Sequence, residues 1–192
     1  MGSLIRLFRR AYLAYFSQPA SDRIIYRLIR KHRVRKILEL GIGPGRRTMR
    51  MLEAIDRSDA AGAVSHTGTV SYTGIDLFEM RSPADGAGLP LKLIHRQLRA
   101  TGAKVRLVPG DPFGALARSA NEVGPCDLMV ISADQDRDSL AKAWFYVPRM
   151  LHATTLVCLE EPGAAPAGPT IRLLPHAEIL RLAAAANTRR AA

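Results

Sequence analysis

The chain has 192 residues and carries 28 Lys+Arg against 17 Asp+Glu, a formal charge of +11 at neutral pH. Its 47% hydrophobic and 23% charged content excludes general disorder and fits one domain around one core. No run reaches the roughly 18 consecutive apolar residues of a membrane span, Arg6, Arg9 and Arg10 interrupt any signal-peptide core, and two cysteines make no disulfide framework, so a cytoplasmic location is expected.

The charge is uneven. Residues 1–50 hold 13 Lys/Arg and two acids, Asp22 and Glu39, so the whole excess lies there and the rest of the chain balances. Such a segment reads either as solvated arginine-rich helix faces or as a surface that meets anions. Leu4, Ile5, Phe8, Ala11, Tyr12, Tyr15 and Phe16 fall on one helical stripe opposite Arg6, Arg9 and Arg10. The pattern suits a membrane surface, but packing of the stripe onto the main domain is the expectation taken forward. After Ser17-Gln18-Pro19, Ser21 can cap a second helix that buries Ile24, Ile25, Leu28 and Ile29 and presents Arg23, Arg27, Arg30 and Lys31 outward. Residues 1–33 are thus a basic helical pair packed on a domain of residues 34–186, with 187–192 a loose tail.

The period then changes. Val34–Leu40 reads as a buried strand, followed at once by Gly41-Ile42-Gly43-Pro44-Gly45 and a helix through Met49, Leu52 and Ile55. Residues 58–69 and Pro83–Gly88 are loops around a second strand, Val70–Asp76. Pro90 opens a helix that buries Leu91, Ile94 and Leu98 and stops near Gly102. Lys104–Pro109 is the third strand, and Asp111-Pro112 opens the next helix. Asp127–Ser132, almost continuously apolar, is the fourth. A helix with Leu140, Trp144 and Val147 leads to a fifth strand, Thr154–Glu160. A Pro/Gly/Ala segment at 162–169 precedes a short strand, Thr170–Leu174, and a last helix with Ile179, Leu180 and Leu182. Alternating strands and helices predict an α/β, Rossmann-like, doubly wound and mostly parallel sheet with helices on both faces.

Ligands of such sheets bind outside the carboxyl ends of the strands, and each strand here ends in an acid, a glycine or a hydroxyl. Gly41, Gly43 and Gly45 let a ligand approach backbone, or simply make a tight turn. The spacing is G-x-G-x-G, without the sixth-position glycine of a dinucleotide fingerprint or the Gly-Lys-Ser/Thr of a P-loop. Asp76 can accept both hydroxyls of a ribose lying across the turn, or can act as a loop acid. Asp111 can bond an adenine amino group, cap the helix at Pro112, or do both.

Taken in order, Glu39-x-Gly41-x-Gly43-x-Gly45, Asp76 and Gly110-Asp111-Pro112-Phe113 resemble the cofactor site of class I S-adenosylmethionine-dependent methyltransferases, over roughly residues 34–160. The likeness is to the small, stand-alone O-methyltransferase branch. It implies that Glu39 and the glycine turn hold the methionine moiety, Asp76 the ribose, and Asp111 with Phe113 the adenine. Leu77, Gly110 and Ser132 are further implied cofactor positions. Asp134, just past the fourth strand, is the candidate general base, with helix capping as its other reading.

The departures are specific. The branch's Ile-Asp-Ala/Gly-Asp-His motif stands here as Ile131-Ser132-Ala133-Asp134-Gln135. Serine is a poor substitute for the aspartate that ligates magnesium in the metal-dependent members, so no metal site is assigned, although Asp134, Asp136, Glu160 and Glu161 offer carboxylates. The branch's Pro-Gly-Gly turn before the fifth strand is His152-Ala153-Thr154. The short C-terminus leaves the substrate side open, or closed by another subunit or by the N-terminal helices, so a homo-oligomer is admitted. The expected function is S-adenosylmethionine-dependent methylation of a small or medium-sized acceptor at oxygen. The alternatives are a degenerate member serving as a binding module, and a nucleic-acid-modifying enzyme using the basic face. Cys126 and Cys158, in or beside buried strands, are assigned no chemistry.

Overall fold

A computed structural model describes residues 2–55, 69–82, 89–163 and 168–191. Most of the loop expected at 58–69, all of Pro83–Gly88 and part of 162–169 lie outside them. Two helices, α1 (Gly2–Tyr15) and α2 (Arg23–Lys31), precede β1 (Lys36–Leu40), α3 (Arg46–Ala54), β2 (Ser71–Asp76), α4 (Leu91–Arg99), β3 (Lys104–Pro109), α5 (Pro112–Val123), β4 (Leu128–Ile131), α6 (Arg137–Ala143), β5 (Leu156–Glu161), β6 (Thr170–Leu173) and α7 (His176–Ala191). The sheet order is β3-β2-β1-β4-β5-β6, parallel throughout except for β6, which runs antiparallel to β5.

Strand alternation sends successive side chains to opposite faces and so builds two cores. Ile37, Tyr72, Leu128 and Val130 pack under α2, α3 and α4 with Ile25, Met51 and Ile94. Leu38, Leu40, Met129 and Ile131 pack under α5, α6 and α7 with Leu116, Trp144 and Ile179. Cys126 and Cys158 are buried thiols, each pushed up to about 12 by burial, and therefore inert.

Two expectations are corrected at the ends of the chain. Ala183–Ala186 are strong helix formers, and α7 runs on through the anticipated loose tail to Ala191. The N-terminal helix is turned the other way round. Leu4, Ile5, Phe8, Tyr12, Tyr15 and Phe16 all face solvent, while among the described side chains of α1 the core takes Leu13 and Ala14. The basic edge does the seating: Arg9 makes a paired contact with the Glu53 carboxylate at 3.1 and 3.2 Å, and Arg10 donates to the Ile55 carbonyl at 3.2 Å. Among the described residues no helix is long and apolar enough to cross a membrane.

Candidate functional site

The strand order reverses between β1 and β4, which makes the space beyond their carboxyl ends the natural ligand cleft of this sheet. The glycine turn leaves β1 there. A Cβ on Gly41, where φ is +86°, would sit 2.3 Å from Gln135 Nε2 and 2.7 Å from Ser132 Cβ, so the turn is pressed against the loop after β4. Gly43, at φ +55°, would meet none of the described residues within 4 Å. Gly45 backs onto Ile94 of α4. Of the three glycines, Gly43 alone presents an open backbone face; the other two serve close packing.

Asp76 closes β2 beside that face. Its Oδ2 accepts the backbone amides of Ile42 (2.7 Å) and Gly43 (3.0 Å), and its Oδ1 accepts that of Phe78 (2.9 Å). Phe78 is buried with φ at +51°, a left-handed conformation that costs an aromatic residue about 1–2 kcal/mol. Arg81 then grips the same carboxylate with two nitrogens, Nε to Oδ1 at 2.9 Å and Nη2 to Oδ2 at 2.7 Å. Its third nitrogen, Nη1, reaches Asp134 Oδ2 at 2.9 Å. The guanidinium therefore bridges the carboxylate expected to hold ribose and the one expected to act as base.

The electrostatics follow. Burial pushes the Asp76 carboxyl up, but Arg81 and the amides of Gly43 and Phe78 outweigh it and hold the group below the usual aspartate value. Asp134 is also lowered: Arg81, Gln135 and Ser132 together overcome its partial burial. A base so stabilised is a weak one while Arg81 stays in place.

The other expected positions divide between cleft and scaffold. Asp111 caps α5, accepting from the Gly114 amide at 3.0 Å, and also takes the Ser139 hydroxyl, tying α5 to α6. Phe113 is half-buried with its ring 5.8 Å from that of Tyr146. Leu77 and Gly110 lie half-buried at the ends of β2 and β3. Ser132 donates to Glu160 Oε2 at 3.0 Å. Glu39 is corrected: strand alternation sends it to the face shared with Ile37, and it is wholly buried beneath the turn. There it accepts from Thr48 Oγ1 and Tyr72 Oη, each at 2.7 Å, and from Arg47 Nε at 3.3 Å. It holds α3 to the sheet and presents nothing to a ligand in the cleft.

Two arginines escaped the sequence reading. Arg47, with a side chain 12% exposed, links Glu39, Asp22 (3.7 Å) and Glu160 (3.0 Å). Arg81 left one usable signal, being the only Lys or Arg between Asp76 and Pro90. The carboxylates considered for a metal are committed elsewhere: Asp134 to Arg81, Asp136 to capping α6, Glu160 to Arg47 and Glu161 to Arg172.

No family model matches the chain, and no curated protein sequence matches it. Solved structures do. One is a caffeoyl-CoA O-methyltransferase, so described, from Staphylococcus aureus: 18% identity, 82% of this chain and 64% of that one covered, TM-score 0.50. Another is the O-methyltransferase from Bacillus cereus in complex with SAH: 15% identity, 83% of this chain and 64% of that one, TM-score 0.52. A third is the O-methyltransferase TomG from Streptomyces achromogenes in complex with SAM: 13% identity, 97% of this chain and 78% of that one, TM-score 0.51. The chain spans less than two thirds of the length of the first two. Sheet order, glycine turn and these likenesses together give the chain the fold of the class I S-adenosylmethionine-dependent methyltransferases.

Proposed function

We propose that the protein is an S-adenosylmethionine-dependent methyltransferase of the cytoplasm, acting on an oxygen of a small or medium-sized acceptor. The observation that carries this reading is the pairing of Asp76 with the open face of Gly43, 3.0 Å apart at the point where the sheet reverses, so that one nucleoside can touch both. The residues fit the cofactor: Asp76 for the ribose hydroxyls, the Gly43 backbone face for close approach, and Asp111 with Phe113 for the adenine. The chemistry supplied by S-adenosylmethionine bound there is an electrophilic sulfonium methyl group open to in-line displacement.

Positioning is the protein's main contribution, worth about 7–11 kcal/mol in favourable intramolecular cases. Arg81 controls it. Withdrawal of the guanidinium uncovers the Asp76 oxygens, and the same movement takes the cation from Asp134, raising its basicity beside Gly41. A base in reach of the acceptor hydroxyl adds about 10²–10⁴-fold.

Calorimetry with S-adenosylmethionine tests the assignment through two variants that move in opposite directions. Arg81→Ala removes the group that competes for Asp76, and is expected to bind about tenfold more tightly, because the competent state no longer has to be opened. Gly43→Ala places a methyl group on the open face at a left-handed φ, and is expected to bind at least about tenfold more weakly. Absence of binding by both the wild type and Arg81→Ala overturns the reading. The Arg81 closure and Ser132 also favour a second reading, a binding module without turnover. Cofactor binding without methyl transfer to any hydroxyl acceptor in a broad panel selects it.

A further inference from the structure

We propose that the N-terminal helical layer is a docking surface for an anionic phospholipid membrane. The outward face of α1 carries Leu4, Ile5, Phe8, Tyr12 and Tyr15 and is continued by Phe16 just after it, with Phe8 67% and Phe16 68% exposed. The domain is engaged through the opposite side of the helix, by Leu13, Ala14 and the Arg9 and Arg10 contacts, so the apolar face is left outward by the way the helix is seated. Beside it, a groove of about 770 Å³ between α1 and α2 brings Leu7 and Tyr15 together with Arg27, Arg30 and Lys31. Those three cations are exposed.

The chemistry of this face selects its occupant among three. A second copy of the chain would match the apolar stripe but not the charge: the first 50 residues carry an excess of +11, and their only acids, Asp22 and Glu39, are buried. A nucleic acid would match the cations but leaves Leu4, Ile5 and Phe8 in water. An anionic bilayer surface matches both, accepting the aromatic and aliphatic stripe at the headgroup boundary and the arginines at its phosphates. This surface lies on the N-terminal layer rather than at the strand ends, and the inference stands apart from the assignment of methyl transfer.

The test is flotation of the full chain with vesicles of phosphatidylcholine alone and of phosphatidylcholine mixed with phosphatidylglycerol. Binding is expected to the mixed vesicles, to weaken with added salt, and to be at least tenfold weaker on the neutral ones. Phe8→Ala and Phe16→Ala, both at exposed positions, should each weaken it by about ten- to a hundredfold. Arg27→Gln and Lys31→Gln should each weaken it about fivefold, and unchanged far-ultraviolet circular dichroism shows that the fold persists. Failure to float with the mixed vesicles, equal flotation with both, or indifference to the Phe8 and Phe16 changes overturns the proposal. So does a dimer in sedimentation that Phe8→Ala dissociates without vesicles, or nucleic-acid binding that outlasts Phe8→Ala while vesicle binding is absent.

Discussion

Asp76→Ala is expected to lower the unfolding free energy by about 3–5 kcal/mol, the range for removing one partner of a buried ion pair. The change takes from Arg81 the carboxylate it holds with two nitrogens, although its Nη1 keeps Asp134. Three backbone amides, those of Ile42, Gly43 and Phe78, lose their acceptor, and the amide of Phe78 was brought to Asp76 by a left-handed backbone. Urea unfolding followed by the fluorescence of the single tryptophan, Trp144, which lies in the core under α5–α7, measures the loss. Arg81→Ala is the control: the carboxylate keeps its three amides, so the loss must be smaller. Equal losses would mean that Asp76 holds only Arg81 and not the glycine turn. The pH dependence has a definite sign. The folded-state pKa of Asp76 is depressed. Its contribution is therefore complete above the unfolded aspartate value of about 3.9 and disappears as the pH falls through the lower folded value. The difference between wild type and Asp76→Ala should accordingly shrink below about pH 4.

Asp76 and the turn it anchors were legible because strands and their ends leave local marks. A short strand carrying Ile37, Leu38 and Leu40 followed by alternating glycines, and an acid ending the next strand, need only period and punctuation to be recognised. Even so, the reading of Glu39 failed for a geometric reason. It lies one residue before the last of β1, and strand alternation turns it under the sheet rather than toward the cleft. Arg81 was not legible because no periodicity governs a loop. Its importance comes from reaching Asp76 and Asp134, which lie 5 and 53 residues away in the chain. Helix α1 marks a third limit. An amphipathic pattern says that two faces differ, not which of them meets the domain; Arg9 and Arg10 settle that through Glu53 and Ile55, partners more than 40 residues distant.

Arg47→Met should be comparably severe, about 3–5 kcal/mol at neutral pH, and its deficit should also shrink in acid, but through protonation of a carboxyl whose pKa is raised rather than lowered. Arg47 is the cation that compensates Glu39, a fully buried carboxylate, while also meeting Asp22 and Glu160. Burial raises the Glu39 carboxyl, and Arg47 leads the groups that oppose this, ahead of Thr48 and Tyr72. Methionine fills much of the arginine's volume but leaves the charge unopposed, so the carboxyl is driven further up. A folded-state pKa above the unfolded value of about 4.3 favours the fold fully below that value and ceases to do so as the pH rises through the folded one. The deficit of Arg47→Met should therefore be largest near neutrality and diminish on acidification, where Glu39 takes up its proton. Adding Glu39→Gln removes the charge while leaving an oxygen to accept from Thr48 or Tyr72. The double variant should then be more stable at neutral pH than Arg47→Met alone, and its stability less dependent on pH. Strictly additive losses, or a deficit that grows as the pH falls, would show that Arg47 acts on α3 by packing alone and that the charge beneath the glycine turn is compensated by other groups.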